Sequence, residues 1–95
     1  MMEIKTSHIV QSTAGRDGGE YFFVVGTEEN FVHLADGKTR RIESPKRKKL
    51  RHIRFEAEGN FRVAEKLRNG DKVTNSELRR ALAQYRSDAK EQEAT

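Results

Sequence analysis

Cysteine and tryptophan are absent from the 95 residues, and proline occurs once. Without cysteine there is no disulfide framework, thiolate zinc site, iron–sulfur cluster or cysteine nucleophile. No apolar run approaches the roughly 18–20 residues that a membrane helix needs. Met1 to Gln11 has neither an apolar h-region nor a small-residue cleavage site, so a secretory signal is not expected. These absences fit a cytoplasmic protein. Apolar residues are also scarce: 34% of the chain is hydrophobic and 36% charged, against about 45–50% and about 25% in a typical domain. Such a chain can bury one small core with polar ends left over, and cannot hold a large cleft between two domains.

What the chain has in excess is positive charge in one place. The net charge is +4. Residues 1–37 hold 2 basic and 6 acidic side chains, and residues 55–95 hold 8 of each. Residues 38–54, KTRRIESPKRKKLRHIR, hold 9 basic and 1 acidic. A field of that density attracts polyanions far more strongly than the overall charge suggests. A solvated, self-repelling loop is the plain alternative, but strand-like residues flank the run and would hold it in place. An anionic membrane is a weaker candidate, because Lys46 to Lys49 has no Leu, Phe or Trp interleaved on one face.

Ile4 to Gln11 reads as a first strand. Ser12 to Gly19 is a loop in which Gly15, Gly18 and Gly19 imply positive φ or close backbone approach. Glu20 to Thr27 is the clearest strand, centred on YFFVV. Tyr21, Phe23 and Val25 share one face and Phe22 and Val24 the other, so both faces need cover. Asp36-Gly37 lies between Phe31–Ala35 and Lys38–Ile42 and predicts a two-residue hairpin turn with His33 opposite Arg40 and Phe31 opposite Ile42. Lys46 to Lys49, after Pro45, reads as a basic turn whose charges can be reversed without harm to the fold. Leu50 to Phe55 reads as a last strand with Ile53 and Phe55 inward.

Two helical patterns follow. Phe61, Ala64 and Leu67 recur three apart, behind Asn60 as a candidate N-cap and ahead of Asn69-Gly70 as a stop. Thr74-Asn75-Ser76-Glu77 matches a capping box, and Leu78, Ala81, Leu82, Tyr85 and Ala89 follow on one helical face. From Ser87 this face thins, and Lys90 to Thr95 reads as a frayed tail. The expected fold is mostly β with C-terminal α: a five-stranded small barrel over residues 1–55, capped by one or two helices from a 56–95 extension.

RNA binding needs cations matched to phosphates, and aromatic planes where bases are read. Arg40, Arg41, Lys46, Arg47, Lys48, Lys49, Arg51 and Arg54 supply the cations. Arg16, in the glycine-rich loop, is placed either to meet a phosphate or to pair with Asp17 or Glu20. Of the seven aromatics, only Tyr21 and Phe31 are candidate stackers, which favours shape and phosphate recognition of folded RNA over reading of stacked single strands. His33 and His52 lie beside the patch, but no Cys or close His partner makes them a metal site. No catalytic constellation or phosphate-binding glycine motif stands out, so neither an enzyme nor a cofactor is expected.

The strand with Ile9 and Val10, the loop Gly15-Arg16-Asp17-Gly18-Gly19 and the strand Tyr21 to Val25 together resemble a KOW motif, with Gly19 the favoured match to its hallmark glycine. Val32-His33-Leu34-Ala35-Asp36-Gly37, Arg40-Arg41-Ile42-Glu43, Pro45 and Lys46 to Lys49 extend the resemblance to small bacterial KOW-domain RNA-binding proteins. Those are similar to a large-subunit ribosomal protein family of archaea and eukaryotes. The likeness spans roughly residues 4–55. Family members usually carry Lys or Arg where this chain has Gly18, and often at Glu20, so this loop is less basic. The resemblance implies an SH3-like barrel that binds RNA, ribosomal RNA above all. It points to a monomeric, cytoplasmic, ribosome-associated protein of translation, with ribosomal proteins as further neighbours and no membrane partner. A rival reading is a protein-interaction module docking on a translation or transcription partner, whose affinity would depend far less on ionic strength.

Overall fold

The computed structural model describes residues 3–59 and 62–94. Five strands form one antiparallel sheet: β1 (Ile9–Ser12), β2 (Tyr21–Thr27), β3 (Phe31–Ala35), β4 (Lys46–Lys49) and β5 (Ile53–Ala57). A 3-10 turn, Leu50–His52, joins β4 to β5, and two helices follow, α1 (Arg62–Asn69) and α2 (Asn75–Ala94). The sheet order is β4-β3-β2-β1-β5, a meander whose last strand returns to pair with the first.

The doubly apolar β2 decides the layering. Phe23 lies on a face shared with Ile9 and Ala35, and all three are buried beneath Val63, Ala64, Val73, Leu78 and Leu82 of the helical segment. Tyr21 meets Tyr85 of α2 edge to face, with ring centroids 5.6 Å apart. Phe22 and Val24 lie on the opposite face with Val10, Val32 and Leu34. No described helix packs there, yet all five are buried, so the sheet must bend over its own face. Ile4 and Ile53 pack against that cluster from its margins.

Helix α2 begins as its capping sequence dictates. The Glu77 N–H donates to Thr74 Oγ1 (3.2 Å), and Glu77 Oε1 accepts from the Thr74 N–H (3.1 Å). The Lys66 ammonium and the Thr74 N–H hold the Glu77 carboxyl down at about 2, tying α1 to α2. Helix α1 ends at Gly70 (φ +76°), where the Asp71 N–H reaches back to Lys66 O at 2.9 Å. Asn60 and Phe61, expected at its start, lie outside the described residues, as does Thr95. From Ser87 to Lys90 only Ala89 is half-buried, so the apolar face does thin there, but the helical backbone does not fray at Lys90 and runs on to Ala94.

Several expectations need correction. The first strand is shorter than Ile4 to Gln11, because the chain turns before it: the His8 N–H bonds to Lys5 O and Ser7 has φ +88°. Asp36-Gly37 is not a hairpin turn, and Lys38–Ile42 is not a strand. The Asp36 carboxylate accepts from the Lys38 and Arg40 N–H groups and the Thr39 hydroxyl, which winds residues 36–40 into a compact loop. That loop delivers Ile42 to the helix-covered core, its N–H bonded to Asn75 Oδ1 at 2.8 Å. A two-residue turn would instead have set Ile42 opposite Phe31. The fourth strand is Lys46–Lys49, read from sequence as a turn. It pairs with β3 in the register Phe31↔Lys49, Val32↔Lys48, His33↔Arg47 and Leu34↔Lys46. The last strand starts at Ile53 rather than Leu50 and runs to Ala57, so a division at residue 55 falls inside it.

Candidate nucleic-acid interface

Alternation along β4 sorts its four cations. Lys46 and Lys48 point to the face of Val32 and Leu34, and Arg47 and Lys49 to the other. Lys48 is buried, and its ammonium donates to Asp17 Oδ1 and Ala14 O, each at 2.6 Å. Ser12 Oγ donates to the same Asp17 oxygen at 2.7 Å, and Lys46 Nζ lies 3.3 Å from Oδ2, an ion-pair contact without a hydrogen bond. Burial pushes the Asp17 carboxyl up, but the Lys48 and Ser12 donors and the nearby Lys46 ammonium outweigh it and hold it down at about 2. Arg47 is also paired: it donates twice to the Glu28 carboxylate and lies over the Phe31 ring, Cζ 3.5 Å from its centroid. The Lys46–Lys49 run is therefore not a free basic turn. Lys48 is a structural group, and reversing all four charges would break the Asp17 cluster along with any hold on a ligand.

The glycine-rich loop is anchored by that cluster. Its Gly18, Gly19 and Glu20 N–H groups bond to Gly15 O, Ser12 O and Asp17 O. Those three amides are therefore not turned toward an anion. Gly19, at φ +91°, adopts the left-handed conformation that its glycine signal called for, and Gly15 does so at +83°. Arg16 at the loop tip is exposed, and its nearest sequence carboxylate, Asp17, is held by the two lysines instead.

Between this loop, the 36–45 loop and α2 lies a groove of about 690 Å³. Arg16, Lys38, Arg40 and Lys46 line it from the sheet side, and Arg79 and Arg86 from the helix. Three carboxylates also line it. Asp17 is held by the lysines and Asp36 by the loop's own donors, which leaves Glu20. Arg79 is fixed at the rim, its guanidinium donating to Gly37 O at 2.6 Å and Ser76 Oγ at 3.0 Å. The remaining expected residues lie elsewhere. Arg41 is exposed in the 36–45 loop outside the groove lining, and Arg54 on β5 bonds to Glu56 and Gln11. Lys49 and Arg51 flank a separate depression at the far end of β4.

Sequence reasoning misses Lys38, Arg79 and Arg86. Lys38 falls in what reads as a strand. The two arginines stand in a stretch of zero net charge, so the charge map passes over them. Their spacing of seven residues, two helical turns, is the available signal: it puts both on one face of α2. No family model matches the chain, and no curated protein matches it.

Proposed function

We propose that this chain binds structured RNA through phosphate contacts in the groove formed by the glycine-rich loop, the 36–45 loop and α2. The observation that carries the reading is the groove's charge. Setting aside Lys46, which Asp17 neutralises, five cations from three separate segments converge on it, against two carboxylates, Glu20 and an Asp36 that the loop's own donors hold. A concave, preorganised set of cations suits the backbone of a folded RNA. The one aromatic in the groove's lining, Phe22, is buried in the core, in keeping with recognition by shape rather than by splayed bases.

The β1–loop–β2 unit with a left-handed Gly19, followed by a meander whose β5 returns to β1, supports the resemblance to KOW-domain RNA-binding proteins and an SH3-like form of the bent sheet. On this reading the protein is cytoplasmic and ribosome-associated, acts by stoichiometric binding without cofactor or catalysis, and takes ribosomal RNA as ligand.

A gel-shift titration of a structured ribosomal RNA fragment at several salt concentrations tests it. Arg16 and Arg86 are exposed on opposite walls of the groove, so Arg16→Glu combined with Arg86→Glu leaves the core untouched. Wild-type affinity should fall steeply with salt. The double variant should bind more weakly with a shallower slope, by roughly one unit for each phosphate left without its cation. Affinity indifferent to salt, or a double variant equal to wild type, would overturn the proposal.

A further inference from the structure

Phe31 and Leu50 are large apolar side chains that belong to neither core cluster. Leu50 is 37% exposed, the one exposed large hydrophobic side chain among the described residues. The two line a depression of about 610 Å³ with Asn30, Lys49 and Arg51. Its wall is braced, since the Leu50 N–H bonds to Asn30 O at 2.9 Å. Phe31 is braced as well. Arg47 lies across its ring, and two hydrogen bonds to Glu28 fix that guanidinium in place. Glu28 also bonds to His33 at 2.6 Å. Phe31 is half-buried, on a support that the fold has already set, which lowers the ordering cost of any planar group that stacks there.

We propose that this depression takes an unpaired nucleotide of the bound RNA, with its base against Phe31 and Leu50 and its phosphate against Lys49 and Arg51. The inference rests on the RNA reading above and adds a second contact to it. The chemistry favours a nucleotide over a protein partner. Two apolar side chains are far too small a patch for a protein interface, which needs about 800 Å² per partner. Two cations with no carboxylate in the lining suit a ligand that is both planar and anionic. β4 links the two sites, with Lys46 on the rim of the groove and Lys49 on the rim of the depression. Three residue steps separate them, about 10 Å of extended chain. The two side chains leave β4 on opposite faces, and β4 is an edge strand, so one RNA that passes around this edge can place a helical stem in the groove and an extruded base against Phe31.

A hairpin RNA carrying a single bulged 2-aminopurine, and the same stem without the bulge, test this. Wild-type protein should bind the bulged hairpin roughly 5- to 150-fold tighter, the range of one base–aromatic stack. The probe's fluorescence should be quenched on binding. Leu50→Ser and Phe31→Ala should each abolish the preference and the quenching, while the affinity for the plain stem and its salt slope stay as in wild type. Leu50 lies outside the core, so Leu50→Ser and the wild-type quenching decide the matter even if Phe31→Ala fails to fold. Equal wild-type affinity for the two RNAs without quenching, or a Leu50→Ser protein that keeps the preference, overturns the nucleotide site and leaves the groove standing. Failure to bind either RNA at low salt overturns the RNA reading itself.

Discussion

Individual residues here act through where the backbone puts them, and two glycines show the contrast. At Gly19 (φ +91°) a β-carbon would meet nothing within 4 Å, so substitution costs conformational strain alone. At Gly37 (φ +77°) it would overlap the Asn75 carbonyl oxygen at the start of α2. Thermal unfolding should show Gly19→Val losing about 1–3 kcal/mol and Gly37→Ala more, roughly 2–5 kcal/mol, because overlap adds to strain. Equal losses would mean that α2 does not press on Gly37. Asp17 makes a different prediction. Its carboxyl is held at about 2, below the ordinary 3.8. Its contribution is therefore complete above pH 4 and is lost as pH falls from about 4 to about 2. Across that window the stability gap between wild type and Asp17→Asn, near 2 kcal/mol at neutral pH, should close in urea titrations. A gap that persists at pH 2 would assign the effect to shape rather than charge. The need for glycine at 19 was legible in the sequence. The Asp17–Lys48 bond was not, because it joins residues 31 apart and local composition suggested Arg16 as the partner.

Elements were legible where local pattern and tertiary demand agreed. β2 announced two buried faces, and Thr74 to Glu77 with Leu78, Leu82 and Tyr85 announced the helix that covers one of them. Leu82 is buried against that face, so Leu82→Ala should cost about 2–5 kcal/mol in calorimetry. A cost below about 0.5 kcal/mol, the range of surface substitutions, would mean that α2 stands off the sheet. Elements were misread where tertiary contacts overrode local signals. Asp36-Gly37 carries the strongest hairpin pattern in the chain. A side-chain carboxylate with three local donors, together with an isoleucine drawn under α2, converts it to a wider loop. KRKK has no strand-forming character. It becomes β4 because β3 offers an open edge, because Asp17 neutralises its inner lysines, and because their methylene stems suit the apolar face beneath them.

At the scale of the whole molecule, sheet and helices share one core. Ile9, Phe23 and Ala35 of the sheet meet Val63, Ala64, Leu78 and Leu82 of the helices. Tyr85 donates to Glu56 at 3.0 Å, a contact that, after burial itself, helps raise the phenol to about 12. A fragment ending at Ala57 would leave one sheet face bare. Proton NMR should show it lacking the dispersion of a folded domain, whereas the full chain should unfold in one transition. A well-dispersed fragment would show that the sheet folds alone. The candidate site is legible at this scale only in part. Lys38, Arg40 and Lys46 stand in the basic run and Arg16 in the glycine-rich loop, but Arg79 and Arg86 come from a stretch of balanced charge and join them only when the apolar face of α2 docks on the sheet. That docking also sets an order of events during synthesis. β2 leaves the ribosome about 55 residues before Leu82, and nothing made in between covers all of its outer face. The nascent chain thus carries a bare apolar strand until α2 emerges, and the groove, which α2 walls, exists only from that moment.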